Sequence, residues 1–376
     1  MATTARGFLL VNKHFQVGSF QNKEINQMKK AVKDEMRMAS ASSRRKIISQ
    51  EYGVRKKHFG CVNVATGEER QKLDSWKSNI SGGSGRLVQD GLVYRQNFLV
   101  RSFEICFDGK LSLAALTNYL QDTALEQCRV IGISADGFGS TPEMNRQDLI
   151  WVTSTLQIVV DSYPSWHDCV EVDTWFYPSG QNSVGRDWVV RDGKTGSTLA
   201  QATSLWVLMN KKTRKLSKLK EEIRDELAPH MRNCDPIIVK DSRKLLRLDV
   251  DTADFAREGV KPEWDQLDLN QHVNHVQYIN WILEVVPRSL VEHHKLSAIT
   301  LEYRKECTTD SVLQSLARIV KDGVRHNSND KVIELEHLLL LENGSEIARG
   351  STSWTPRDFP AEITTNHKVL ITEPAK

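Results

Sequence analysis

Between Trp264 and His275 the chain reads Trp264-Asp265-Gln266-Leu267-Asp268-Leu269-Asn270-Gln271-His272-Val273-Asn274-His275. A carboxylate, an amide and an imidazole (Asp268, Asn270 and His272) occupy alternate positions in it. Brought to one spot, those three groups can orient a water and deprotonate it. In an extended segment, side chains two apart project to the same side. A helix is expected directly afterwards, from about Val273 through Val285, with Pro287 ending it. Its N-terminus offers free backbone N–H groups and the positive end of the helix dipole. Such a terminus can polarise a carbonyl and stabilise an oxyanion. Helix capping is the plainer role for Asp and Asn at this place, but the run of polar groups here exceeds what one cap needs.

A second cluster, Glu302-Tyr303-Arg304-Lys305-Glu306-Cys307, closes an expected strand. Glu306 can serve as a second carboxylate on the same water. Cys307, with a histidine and an asparagine nearby, can alternatively be a thiolate nucleophile. From spacing alone, the two read equally as a solvated charge and a small buried apolar residue. The densest positive run in the folded part is Lys211, Lys212, Arg214, Lys215, Lys218 and Lys220, which suits either an acidic protein partner or a solvated loop. There is no P-loop, no dinucleotide GxGxxG in a strand–helix setting and no HExxH, so neither cofactor nor metal is expected.

These groups need a scaffold, and the pattern from Leu87 onward repeats itself. In the first pass an apolar segment at Phe98–Ile105 leads into a helix whose Leu113, Leu116, Leu120, Ala124 and Cys128 share one face, with Ser112 as N-cap. Strands follow at Leu149–Val160, Asp168–Phe176, Gly185–Arg191 and Thr198–Met209, the last two forming a hairpin around Asp192-Gly193-Lys194-Thr195-Gly196. The second pass begins near Arg247. After its helix come strand-like runs at Ala298–Tyr303, Val312–Val320, Lys331–Leu341 and Glu346–Trp354. The closing hairpins match in kind: Ala202-Thr203-Ser204-Leu205-Trp206 in one pass, Gly350-Ser351-Thr352-Ser353-Trp354 in the other. One long helix and an antiparallel sheet wrapped around it, twice over, is an α+β tandem hot-dog outline.

Composition fits two domains, at about 150 residues each. Of 376 residues, 39% are hydrophobic, and no apolar run approaches the roughly 18 residues that would span a membrane. The net charge of +3 is uneven. Residues 1–85 hold 16 Lys/Arg against 7 Asp/Glu, so the remainder is net acidic, which argues against a nucleic-acid-binding body. That basic arm, ending in Ser81-Gly82-Gly83-Ser84-Gly85, reads as an organelle transit peptide and flexible linker. The six cysteines form no CxxC pair and suggest no disulfide framework, so a reducing compartment is expected.

Asp268-Leu269-Asn270-Gln271-His272-Val273-Asn274 resembles the active-site motif of plant acyl-ACP thioesterases, and Leu301-Glu302-Tyr303-Arg304-Lys305-Glu306-Cys307 their second motif. Three further stretches are similar to the B class, which favours saturated chains: Gln89–Phe98, Gly137–Met144 and Asp241-Ser242-Arg243-Lys244-Leu245. The resemblance covers roughly Leu87 to Arg357. It implies an arm at 1–85, an N-terminal hot-dog at 86–235 that selects acyl length, a catalytic hot-dog at 236–360 and a tail at 361–376. It implies hydrolysis of fatty acyl-ACP in the plastid stroma, with acidic acyl carrier protein as partner. Asp268, Asn270, His272 and Glu306 take the catalytic roles, with Cys307 adjacent. The helix at 113–128 would border the acyl tunnel. The alternatives are an acyl-CoA thioesterase and a non-catalytic acyl-binding hot-dog protein. Paired hot-dogs in one chain leave homodimerisation open. Position 275 departs from the family pattern, being His where Asn is usual; His275 would either perturb the site or face outward.

Overall fold

The computed structural model describes residues 85–239, 245, 247–320 and 332–357, all within one compact unit, Thr66–Lys376. The transit-peptide and tail readings, and the resemblance at Asp241–Lys244, lie outside the described residues.

Strands β1 (Arg86–Val88) and β2 (Val93–Leu99) precede α1 (Leu113–Val130), α2 (Pro142–Arg146), β3 (Leu149–Val160), β4 (Cys169–Ser179), β5 (Ser183–Asp192), β6 (Thr198–Asn210), β7 (Leu216–Ser217) and α3 (Glu221–Leu227). The second half holds β8 (Phe255–Val260), α4 (His275–Leu283), α5 (Arg288–His293), β9 (His294–Tyr303), β10 (Leu313–Ile319), β11 (Ile333–Leu341) and β12 (Glu346–Pro356). The strands build one antiparallel sheet in the order β1-β2-β4-β5-β6-β3-β9-β12-β11-β10-β8, with β7 on β6. About the β3–β9 junction the order is mirrored. Reading outward, β3-β6-β5-β4-β2 matches β9-β12-β11-β10-β8 in connectivity, which is the tandem hot-dog. At the junction Leu156 pairs with Leu301 and Ile158 with Ile299, all four buried. The sheet therefore continues through the seam as apolar core.

Helix α1 forms where the periodicity places it. Ser112 Oγ accepts the Ala115 N–H at 3.1 Å, and Leu113, Leu116, Leu120, Ala124 and Cys128 are buried along one stripe. Burying each leucine contributes about 2 kcal/mol. The helix stops at Gly132, whose φ of +77° lets the Ile133 N–H turn back to the Cys128 carbonyl. Helix α4 is shorter than expected at both ends. Asn274 Oδ1 caps it by accepting the Val276 N–H at 3.0 Å, because Val273 is already committed to a bridge with Leu267. At the other end Pro287 has no N–H to extend it and crowds the residue before it. Two further differences concern strands. The apolar opening is a strand at Val93–Leu99 rather than 98–105, and β1, β7 and β8 lie outside the expected strands.

Candidate active site

The segment ahead of α4 is not extended, so the alternation argument for Asp268, Asn270 and His272 does not hold. Leu267 and Val273 pair as an antiparallel bridge, and the five residues between them form a tight loop. The Asp268 N–H donates to the His272 carbonyl at 2.7 Å, and the Gln271 N–H to the Asp268 carbonyl at 3.0 Å. Gln271 adopts φ +64° to close the turn. Asp268 Oδ1 accepts the N–H groups of Asn270 at 2.8 Å and His272 at 3.1 Å. The carboxylate is thus turned onto its own loop as an organiser. Asn270 is exposed.

His272 and Glu306 are the predicted residues brought together. His272 Nε2 lies 3.6 Å from Glu306 Oε1, with both side chains partly buried; His272 Nδ1 is buried without a partner among the described residues. The Val273 N–H donates to the Cys307 carbonyl at 3.0 Å, which ties the loop to the chain after β9. Two tyrosines fix this junction. Tyr278 Oη accepts the Cys307 N–H at 3.1 Å, and Tyr303 Oη donates to the His275 carbonyl at 3.2 Å.

Cys307 is 1% exposed. Burial pushes its thiol up to about 11, and Glu306 beside it adds to the rise, outweighing the lowering contacts from Tyr278 and Lys305. Burial there disfavours the thiolate form of Cys307.

His275 does not face outward. Its ring meets those of Trp206 and Tyr303 edge-on, at 6.2 and 6.1 Å between centroids, and burial pushes it down to about 4. It lines a cavity of about 50 Å³ whose other walls are Thr117, Leu120, Gln121, Ala124 and Leu125 of α1, Thr153 and Leu156 of β3, and Trp188, Ser204 and Trp206. This largely apolar cavity begins at the first residue of α4, three residues after His272.

One residue of the site escaped the sequence reading. Arg214, from the turn after β6, reaches Glu306 across the junction: its Nε lies 2.7 Å from Oε1, and its Nη2 bonds Oε2. In the sequence it is one cation in a basic run, 92 positions from its partner, and no local signal links the two. Lys212 pairs with Asp148 at 2.6 Å, while Lys215, Lys218 and Lys220 are exposed. Among the described residues no group of His, Cys, Asp and Glu is arranged to hold a metal ion, and no helix is long and apolar enough to cross a membrane.

Comparison with known proteins gives one answer along most of this chain. Residues 91–227 match the family model for the acyl-ACP thioesterase N-terminal domain, and residues 250–356 the one for the C-terminal domain. A palmitoyl-acyl carrier protein thioesterase, chloroplastic, of Arabidopsis thaliana is 52% identical over 296 residues, spanning 77% of this chain and 72% of that protein. A dodecanoyl-[acyl-carrier-protein] hydrolase, chloroplastic, of Umbellularia californica is 45% identical over 269 residues, spanning 71% of this chain and 69% of that protein. Among solved structures, the 12:0-ACP thioesterase from Umbellularia californica superposes with a TM-score of 0.66 at 44% identity, over 72% of this chain and 96% of that one. A putative oleoyl thioesterase from Lactobacillus plantarum shares the fold, with a TM-score of 0.61 at 19% identity over 71% of this chain and 97% of that one.

Proposed function

The chain belongs to the acyl-ACP thioesterase family, and from that premise we propose that it hydrolyses saturated fatty acyl-ACP to free fatty acid and acyl carrier protein in the plastid stroma. The observation that carries the reading is the approach of His272 and Glu306 to 3.6 Å just ahead of the N-terminus of α4. The plastid assignment rests on chloroplastic relatives.

In this reading a water between Glu306 and His272 attacks the thioester carbonyl carbon and gives up its proton to that pair. The oxyanion that forms is met by the His275 N–H at the first position of α4, since the Val276 and Gln277 N–H groups are taken by Asn274. As the C–S bond breaks, the proton passes to the departing pantetheine sulfur. Asp268 keeps the loop in shape through its two N–H bonds, and Asn270 at the exposed rim positions the substrate's polar head. Cys307 has no covalent role. The half at 86–235 selects the acyl chain by length, with α1 bordering the acyl tunnel. The half at 236–360 supplies the chemistry, and the acidic carrier docks on Lys215, Lys218 and Lys220. A homodimer is not required, since both hot-dogs are in one chain; sedimentation of the purified protein answers that separately.

The test is turnover of matched palmitoyl-ACP and palmitoyl-CoA by the purified protein. Hydrolysis of the ACP ester with a kcat/KM at least tenfold above the CoA ester is expected. Equal turnover of both would point to an acyl-CoA thioesterase. Acyl-ACP binding without turnover would point to a silent acyl-binding protein.

A further inference from the structure

We propose that Arg214, contributed by the N-terminal half, is a positioning residue for the reaction: it holds the Glu306 carboxylate in the orientation that faces His272. The inference rests on the functional reading above and extends it to a residue in the other half of the molecule.

Glu306 follows the end of β9 in a short irregular stretch, and its side chain remains about a quarter exposed. Left alone, a carboxylate there samples several rotamers and spends little time aimed at His272. The guanidinium engages both of its oxygens, Nε on Oε1 and Nη2 on Oε2. Such a two-point fork fixes the plane of the carboxylate as well as its place. Oε1 is also the oxygen that lies 3.6 Å from His272 Nε2.

Arg214 is itself held. Its backbone takes φ +54°, its N–H donates to the Asn210 carbonyl at 2.9 Å, and Asn210 Oδ1 accepts the N–H groups of Lys212 at 3.1 Å and Thr213 at 2.9 Å. The turn is a fixed bracket on the end of β6. The site in the second half is therefore completed by the first.

A matching strut runs the other way. Arg357, just past β12, reaches Asp108 in the loop ahead of α1. No catalytic pair stands there, so Arg357 serves as the control for a role that is merely structural.

The experiment compares wild type, Arg214→Ala, Arg214→Lys, Glu306→Ala, the double variant Arg214→Ala/Glu306→Ala, and Arg357→Ala. Each is assayed on palmitoyl-ACP and on palmitoyl-pantetheine, which lacks the carrier, and thermal melts accompany the rates. Arg214→Ala is expected to lower kcat on both substrates by roughly tenfold to a hundredfold, with KM within about twofold. Arg214→Lys, with one point of contact, recovers part of the loss and covers the case of an unfolded alanine variant. In the Glu306→Ala background the Arg214 change adds less than about twofold, since it acts through Glu306. Arg357→Ala lowers the melting temperature and leaves kcat alone.

A loss confined to KM for palmitoyl-ACP and absent with palmitoyl-pantetheine overturns the proposal and makes Arg214 a docking charge. An equal loss in the Glu306→Ala background overturns it also. A folded wild type that hydrolyses neither ester sinks the functional reading, and this inference with it. An active wild type with an unaffected Arg214→Ala sinks this inference alone.

Discussion

The loop ahead of α1 and the loop ahead of α4 have the same backbone. Ile105 bridges Leu111 as Leu267 bridges Val273. Inside the first, the Cys106 N–H donates to the Lys110 carbonyl at 2.8 Å and the Gly109 N–H to the Cys106 carbonyl at 3.0 Å; inside the second, Asp268 to His272 is 2.7 Å and Gln271 to Asp268 is 3.0 Å. Gly109 has φ +73° where Gln271 has +64°. Each loop is pinned from outside as well, Leu111 to the Pro164 carbonyl and Val273 to that of Cys307. The side chains differ throughout. Cys106, Asp108 and Lys110 stand where Asp268, Asn270 and His272 do, and Tyr163 stands where Glu306 does. In the first loop the charges are spent on structure: Asp108 pairs with Arg357, and Lys110 Nζ donates to Ser165 Oγ at 2.9 Å. The fold thus builds the same frame at the start of both helices, and only one frame carries a carboxylate–imidazole pair. The frame supplies positions; which residue fills them decides whether chemistry follows.

Exchanging function between those positions is the strongest way to break the comparison. Glu306→Gln should reduce kcat on palmitoyl-ACP by roughly 10²- to 10⁴-fold, the usual worth of a general base. Tyr163→Phe, at the matching point, should leave kcat unchanged. The Tyr163 hydroxyl is buried without a partner among the described residues, so removing it is neutral or slightly stabilising. A rate loss in Tyr163→Phe comparable to that in Glu306→Gln would end the claim that only one frame is catalytic.

Much of the scaffold could be read before any coordinates. The leucine stripe of α1 is one face at helical spacing, and β3 is a β-branched run whose ends coincide with the expected Leu149–Val160. Strand β8 was missed because four of its six residues are exposed in an unbroken row, Ala256 to Gly259, which leaves no alternation to detect. At the site, residue types were legible and geometry was not. Asp268 accepts two N–H groups of its own loop, and Gln271 turns left-handed; a carboxylate that satisfies local donors bends the chain where spacing alone suggests extension. The Arg214–Glu306 pair joins opposite halves of the molecule, so the relation exists only once the sheet has closed across β3 and β9.

Acid sharpens the comparison between the halves through a buried group. His337 on β11 is 1% exposed, and its Nε2 lies 2.8 Å from Thr352 Oγ1, which also accepts Trp354 Nε1 at 2.9 Å. The first half repeats the tryptophan contact, Trp206 Nε1 donating to Ser204 Oγ at 2.7 Å, but its β5 places Trp188 opposite Ala202 where β11 places His337 opposite Gly350. Burial pushes His337 down to about 3. The unfolded chain takes up a proton on this residue below about pH 6.5, and the folded chain does not, so the unfolded state binds more protons and stability falls with pH from about 6.5 downward. His275, pushed down to about 4 by burial, adds a loss of the same sign. Between pH 7 and 5 the His337 contribution is on the order of 2 kcal/mol. Urea titrations at the two pH values check it, and His337→Gln should shrink the difference between them. An unchanged pH dependence in that variant would show that His337 is not the source.

The paired turns differ in one residue whose cost is conformational. Gly109 takes its left-handed φ freely, while Gln271 takes nearly the same angle with a side chain attached. Gly109→Ala should destabilise by about 1 kcal/mol, the cost of a β-carbon in that region. Gln271→Gly should recover somewhat less than that, because glycine also loosens the unfolded chain. Thermal melts of the two variants measure the stability. If the Gln271 conformation serves the site, Gln271→Gly will gain stability and lose kcat together; a gain with full activity makes it an incidental strain.

The smallest expected effect is at Cys307, and it separates two chemistries. A cysteine nucleophile requires thiolate, yet burial holds this thiol near 11, so at pH 8 roughly one molecule in 10³ would carry the anion. Its backbone N–H and carbonyl are the parts the site uses, donating to Tyr278 Oη and accepting from Val273, and both survive substitution. Cys307→Ala removes a buried sulfur and should cost about 1 kcal/mol of stability, with kcat on palmitoyl-ACP within about threefold of wild type. A loss of a hundredfold in a variant that melts normally would require a covalent acyl–sulfur intermediate and would overturn the water route. The matching residue in the first half is Pro164, which has no thiol at all and pins Leu111 through the same carbonyl contact. What the two positions share is the carbonyl that anchors the loop, and that shared feature predicts that the sulfur is dispensable.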